Sequence, residues 1–293
     1  MNLEDTLFDL NVEDEKEEVR ESYVRAPFGW PGGKTRSLKY ILDKLPVKKI
    51  WNEVFGGSGV VSLNRPLSIL NVFNDRYSGI VAFYRCIRDH DKLEKLIQRL
   101  ELTVHSREEF IWCKESWDKI EDDVERAARW YYLTMTSFAL IGRSFGRSTN
   151  SVAPLKVHEH LPLFNHAHLI FKNYQIENLD WKQCLLDYDT YETVHYLDPP
   201  YVNCDQGIYR LNFDLHDHVN MLETIQQRKG FIALSGFDCE LYDSYKWDHK
   251  YSWEVYYSIK GMAFTETNNK AHLKNTVQEK GSGYESLWIK ESK

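Results

Sequence analysis

The 293-residue chain predicts an α/β fold: an open, mixed but mostly parallel sheet flanked by helices and interrupted by a long helical insert. Three observations predict it. Residues 49–75 read as strand, glycine loop, helix and second strand, a unit that builds parallel sheets. Residues 79–139 keep a helical pattern with no strand signal between them. The β-rich apolar run Val194-His195-Tyr196-Leu197 ends in Asp198-Pro199-Pro200-Tyr201. That places a polar loop at a strand's carboxyl end, where open α/β sheets bind ligands.

The elements follow in order. Pro27-Phe28-Gly29-Trp30-Pro31-Gly32-Gly33-Lys34 is dense in turn formers and reads as a compact loop. Leu38, Ile41, Leu42 and Leu45 then fall at helical spacing over residues 35–45, and Pro46 ends the pattern. Residues 49–54 read as a strand feeding Phe55-Gly56-Gly57-Ser58-Gly59, with a helix from about Val60. Residues 68–73 read as a strand ending in Asn74-Asp75. Helical segments occupy residues 79–84, 93–102 and 121–140, and a polar, basic stretch over 141–161 resembles a binding loop. Strands resume at 174–178, 194–197 and 230–235, and the aromatic segments 253–259 and 285–289 form a closing hairpin.

The formal charge of −7 argues against a polyanion partner until its distribution is considered. Residues 1–20 carry eight acids against Lys16 and Arg20, which accounts for −6 of the −7. A nearly neutral remainder can present a basic groove on one face. Residues 1–24 are expected to be an acidic, flexible tail. The N-terminus lacks the basic-then-apolar order of a secretory signal, and no run of about 18 apolar residues exists, so a cytoplasmic protein without membrane contact is expected. Cys86, Cys113, Cys184, Cys204 and Cys239 are widely spaced and form no C-x-x-C pair, which points to free thiols.

The chemistry concentrates in two loops. Glycines in residues 55–59 let a ligand approach the backbone at a helix start, and Asp75, ending the next strand, is placed to accept ribose hydroxyls. The glycines lack the G-x-G-x-x-G spacing and no G-x-x-x-x-G-K-[ST] occurs, so a nucleoside without pyrophosphate is the expected ligand. In residues 198–201 two prolines stiffen a loop whose acid, carbonyl and aromatic ring can together hold one flat, amine-bearing group. Other clusters carry less: His216-Asp217-His218, with Asp214 nearby, reads as a polar helix start, and His158-Glu159-His160 places its residues on different helix faces. Asp180 is either a surface acid or a neighbour of the ligand's base.

The ordered set Trp30-Pro31-Gly32-Gly33-Lys34, Phe55-Gly56-Gly57-Ser58-Gly59, Asn74-Asp75 and Asp198-Pro199-Pro200-Tyr201 resembles the Dam-type (alpha-group) DNA adenine N6-methyltransferases over most of the chain. The resemblance implies a Rossmann-like class I methyltransferase sheet with a helical target-recognition insert. It implies S-adenosylmethionine as cofactor, S-adenosylhomocysteine as product and no metal. Trp30, Lys34, Phe55, Gly57, Asp75 and Asp198 would surround the cofactor. Asp198 and the Pro199 carbonyl would accept the two amine hydrogens of a flipped-out adenine, with Pro200 stiffening the loop and Tyr201 stacking on the base. Ser235-Gly236-Phe237-Asp238 resembles a late motif on the base side.

The implied organisation is a cofactor-binding part at 25–78, target recognition at 79–165 and the catalytic part at 166–293. Arg143, Arg147 and Asn150 are the candidate DNA contacts, with Ser148 and Thr149 between them, although this loop does not match the family insert motif for motif. Double-stranded DNA is the expected partner of a monomer or weak dimer, in a bacterial or phage-infected cell. The rival readings are an RNA or other amino-group methyltransferase and a catalytically inactive nucleic-acid-binding relative.

Overall fold

The computed structural model describes residues 23–137, 140, 142–146, 157–202, 213–256 and 282–292. Its centre is a seven-stranded sheet in the order β3-β2-β1-β4-β5-β7-β6, formed by β1 (Ile50–Glu53), β2 (Leu70–Asn74), β3 (Tyr174–Glu177), β4 (Thr193–Leu197), β5 (Phe231–Phe237), β6 (His249–Tyr256) and β7 (Ser282–Lys290). The pairs from β3 through β5 are parallel, whereas β7 runs antiparallel to both β5 and β6. Strand β4 is buried along its whole length, as a central strand covered on both faces must be. From β1 the chain proceeds outward through β2 and β3, then returns to place β4 on the other side. The carboxyl ends of β1 and β4 therefore flank the topological switch point, and the glycine loop and Asp198 both start there.

The helices are shorter or more numerous than the sequence pattern predicts. The helix expected over 35–45 is α1 (Leu38–Leu42), preceded by a 3-10 turn at Lys34–Arg36. Leu45 stands before Pro46, which disfavours the helical region there. The glycine loop leads into α2 (Val60–Asn64). Between β2 and β3 lie α3 (Ser78–Arg88), α4 (His90–Glu101), α5 (Arg107–Ser116), α6 (Asp123–Thr136) and α7 (Val157–Phe171). Side chains of Asp89, Ser106 and Asp122 cap α4, α5 and α6. The end of the polar stretch read as loop is the start of α7. That helix holds Pro162 inside it yet buries Phe164, Ala167 and Phe171 completely. The remaining helices are α8 (Trp181–Asp187), α9 (Leu215–Gln226) and α10 (Glu240–Asp243). At α9 the Asp214 and Asp217 carboxylates form a reciprocal capping box, so this acidic and histidine-rich run is a helix start.

The helical insert is continuous with the sheet rather than a separate body. Phe83, Trp130, Phe164 and Phe171 share one buried cluster with Val194, Tyr196 and Phe231 of the sheet. Phe83 stacks on Tyr131 with ring centroids 5.3 Å apart, and Trp130 meets Phe28 edge-on at 4.9 Å. A second cluster on Met221, Leu222, Ile232 and Trp288 is built by α9, β5 and β7. Cys86, Cys113, Cys184 and Cys239 are buried free thiols, and Cys204 lies outside the described residues.

Candidate active site

The loop after β1 is shaped by glycines at the positions where a side chain cannot go. Gly57 and Gly59 adopt left-handed φ values of 51° and 67°, and a Cβ on Gly57 would stand 3.1 Å from the Trp30 ring. Asp75 holds this loop from the end of β2. One carboxylate oxygen accepts the Gly57 amide at 2.8 Å and the other accepts the Tyr77 amide at 2.7 Å. Asn74 fastens the neighbouring strand ends, donating to the Val54 carbonyl at 2.9 Å and accepting the Leu179 amide at 2.8 Å. Burial pushes the Asp75 carboxyl up to about 7, against the pull of the Gly57 amide.

The loop after β4 is organised by one buried lysine. Lys34, only 2% exposed, donates to Asp198 Oδ2 at 2.6 Å, to the Tyr201 hydroxyl and to the Gly32 carbonyl at 3.0 Å. Ser235 on β5 donates to the other Asp198 oxygen at 3.2 Å. Burial raises the Asp198 carboxyl to about 6, with Lys34 opposing and Glu285 reinforcing that shift. Tyr201 donates to Glu285 Oε1 at 2.8 Å, and its ring packs on Phe237 with centroids 4.2 Å apart. This ring is 4% exposed and lines the cavity beside Asp198.

These two loops face one cavity of about 270 Å³. Trp30, Lys34, Phe55, Gly57, Asp75, Asp198, Pro199, Pro200 and Tyr201 all line it, so the structure brings together every pocket residue singled out in the sequence. Phe213, whose ring meets Phe55 edge-on at 5.6 Å, and Trp181 add flat apolar walls. Asp180 stands at the rim as the cap of α8. Asp238 is committed elsewhere, to Lys250 at 2.5 Å and Ser286 at 3.2 Å. Arg143 is exposed on a short turn that Lys114 fastens through the Arg143 carbonyl at 2.8 Å. Arg147 and Asn150 lie outside the described residues. Among the described residues no group of His, Cys, Asp and Glu is arranged to hold a metal ion, and no helix is long and apolar enough to cross a membrane.

Three contributors escaped the sequence reading. Glu53 ends β1 and lines the cavity, taking a hydrogen bond from Ser62 that Trp51 steadies at 2.9 Å; burial lifts its carboxyl to about 8. Tyr196 lines the cavity beside it. Glu285 supports Lys34 and Tyr201 from β7. For Glu53 the available signal was an ionisable residue inside a strand that otherwise reads as buried.

Glu53, Asp75 and Asp198 give the apoprotein a defined pH response. Each binds its proton more tightly folded than unfolded, so its contribution to stability is complete below about pH 4 and disappears as pH rises through the folded value. With folded values of about 8, 7 and 6, these groups should make the unfolding free energy fall between pH 5 and 8.5. Urea denaturation across that range checks it, and Glu53→Gln should flatten the slope most at its alkaline end.

The pocket suits a nucleoside with a cationic tail: a glycine loop closed by an aromatic ring, a carboxylate after β2, and two further carboxylates deeper in. The family model for the D12 class N6 adenine-specific DNA methyltransferases matches residues 30–271. The type II methyltransferase M.CviBI of Paramecium bursaria Chlorella virus NC1A is 26% identical over 241 residues, covering 78% of this chain and 91% of that protein. The sheet order and mixed α/β layers are those of a class I methyltransferase. Since the family match runs from the Trp30 loop through both active-site loops and past β6, the chain belongs to the D12 class N6 adenine-specific DNA methyltransferases.

Proposed function

We propose that this adenine DNA methyltransferase binds S-adenosylmethionine in the pocket at the switch point and acts on an adenine rotated out of double-stranded DNA. One observation carries the reading: Asp198, at the end of β4, shares a single cavity with the glycine loop and Asp75. The cofactor supplies an electrophilic sulfonium methyl. The residues around it supply position and field. Asp75 accepts ribose hydroxyls with lone pairs left over from its two backbone bonds, while Trp30, Phe55 and Gly57 enclose the nucleoside. Lys34 holds Asp198 in place.

Adenine's amino nitrogen is a poor nucleophile because its lone pair is delocalised into the ring. Asp198 and the Pro199 carbonyl each accept one amino hydrogen, drawing the nitrogen toward tetrahedral geometry and aiming its lone pair at the methyl. Pro200 and Tyr201 form the wall against which the base rests, once unstacked at a cost of about a few kcal/mol. Residues 79–165 are assigned to target recognition, with Arg143, Arg147 and Asn150 as DNA contacts. A restriction-modification or phage setting is supported by the viral type II relative.

Expression in cells lacking adenine methylation, followed by genome-wide mapping of modified bases, tests the reading directly. The expected result is N6-methyladenine in one recurring sequence context. Methylation confined to RNA, or cofactor binding without transfer to any nucleic acid, would instead establish one of the rival readings. Asp75→Asn places an amide nitrogen against the Gly57 or Tyr77 N–H, so donor faces donor. Its affinity for S-adenosylmethionine should fall at least about tenfold, in line with the 1.5–3 kcal/mol typical of hydrogen bonds to charged groups. Equilibrium dialysis measures this, and unchanged affinity would remove Asp75 from the cofactor site.

A further inference from the structure

The family match ends at residue 271, yet the active-site loop is supported from beyond it. Glu285 lies on β7, opposite Phe237 of β5 and Trp253 of β6 in the strand register. It is 7% exposed. Oε1 accepts the Tyr201 hydroxyl at 2.8 Å, and the Lys34 ammonium stands 3.9 Å from the same oxygen. Oε2 accepts from Ser37, whose hydroxyl oxygen in turn accepts the Trp253 indole N–H at 3.0 Å. A buried carboxylate is costly unless all its partners are in place. Here the partners come from the loop after β4, the turn before α1 and the closing hairpin.

We infer that Glu285 is a positioning residue for methyl transfer, fixing Lys34 and Tyr201 so that Asp198 meets the adenine amino group at the productive angle. This rests on the role proposed for Asp198. Two of the groups Glu285 touches touch each other, and one of them, Lys34, holds Asp198 at 2.6 Å. Releasing Glu285 therefore frees both supports together. The groups facing Asp198 are Lys34 from the turn before α1, Ser235 from β5 and Glu285 from β7, with Glu53 on β1, Tyr196 on β4 and Tyr242 on α10 farther off. Of these, Glu285 opposes ionisation of Asp198 and Lys34 favours it.

Glu285→Gln in the full chain separates positioning from bulk structure, because it preserves shape and an acceptor oxygen while removing charge. The expected result is a kcat lowered on the order of 10-fold to 10²-fold, the usual cost of small misplacement, with KM for cofactor and DNA little changed. The acid limb of the kcat profile should move to lower pH. Wild-type kcat, or a loss that tracks the unfolded fraction while the limb stays put, overturns the inference. If the variant melts below assay temperature, Ser37→Ala loosens Glu285 without altering charge and should lower kcat alone; wild-type kcat there is equally decisive. Asp198→Ala is measured in parallel. An inactive Asp198→Ala beside an unaffected Glu285→Gln rejects the positioning role only, whereas an active Asp198→Ala rejects the mechanism beneath it.

Discussion

Asp198→Ala should leave a folded protein that binds S-adenosylmethionine and transfers methyl groups on the order of 10³-fold more slowly or worse, as expected when a preorganised acceptor aimed at the reacting centre is deleted. The fold should survive because the substitution removes a carboxylate that burial already disfavours, as its rise to about 6 indicates. Lys34 would keep the Gly32 carbonyl, the Tyr201 hydroxyl and Glu285 as partners. Single-turnover kinetics with labelled cofactor measures the step, and thermal melting checks the fold. Full activity in this variant would sink the proposed mechanism. In the wild type, transfer should fade below about pH 6, where a protonated Asp198 can no longer accept an amino hydrogen through that oxygen.

Lys34→Met is expected to damage both stability and chemistry. Among the described residues its ammonium is the cation that contacts Asp198, Glu285 and the Tyr201 hydroxyl, and removing it leaves buried carboxylates facing each other. Breaking a buried pair from one side costs about 3–5 kcal/mol. Differential scanning calorimetry should therefore show a clear drop in melting temperature. The folded fraction should carry a second signature. Lys34 is the strongest influence holding the Asp198 carboxyl down, so its loss should drive the acid limb of activity to higher pH. That is opposite to the shift expected for Glu285→Gln, and the pair of variants brackets the field at Asp198.

How much of this was legible in the sequence depended on where the information was local. Glycines at 57 and 59 and the acid at 75 follow strands whose apolar pattern is plain, so the loop and its partner carboxylate could be read together. Asp198 announced itself through two prolines after a buried run. By contrast, α7 was hidden by Pro162 and by the polar residues before it, although tertiary burial of Phe164 and Phe171 carries the helix through. Glu285 was hidden for another reason. Nothing in Gly283-Tyr284-Glu285-Ser286 marks a functional acid, and its meaning appears only when an antiparallel strand enters the sheet beside β5 and lays it against Lys34. Tyr201 was legible in position, whereas its packing on Phe237 and its hydroxyl partners come from distant segments.

The core shared by the insert and the sheet bears on how such an enzyme can acquire a new target. Phe83, Trp130, Phe164 and Phe171 belong to the helices between β2 and β3, yet they cover the same apolar face as Val194 and Phe231. Transplanting the whole stretch from a relative would exchange the side chains that pack against Val194, Tyr196 and Phe231 of the catalytic sheet. On the target-recognition role proposed for residues 79–165, specificity would be better rewritten residue by residue on exposed turns such as the one bearing Arg143 than traded as a cassette, and a wholesale chimaera should fail first by unfolding.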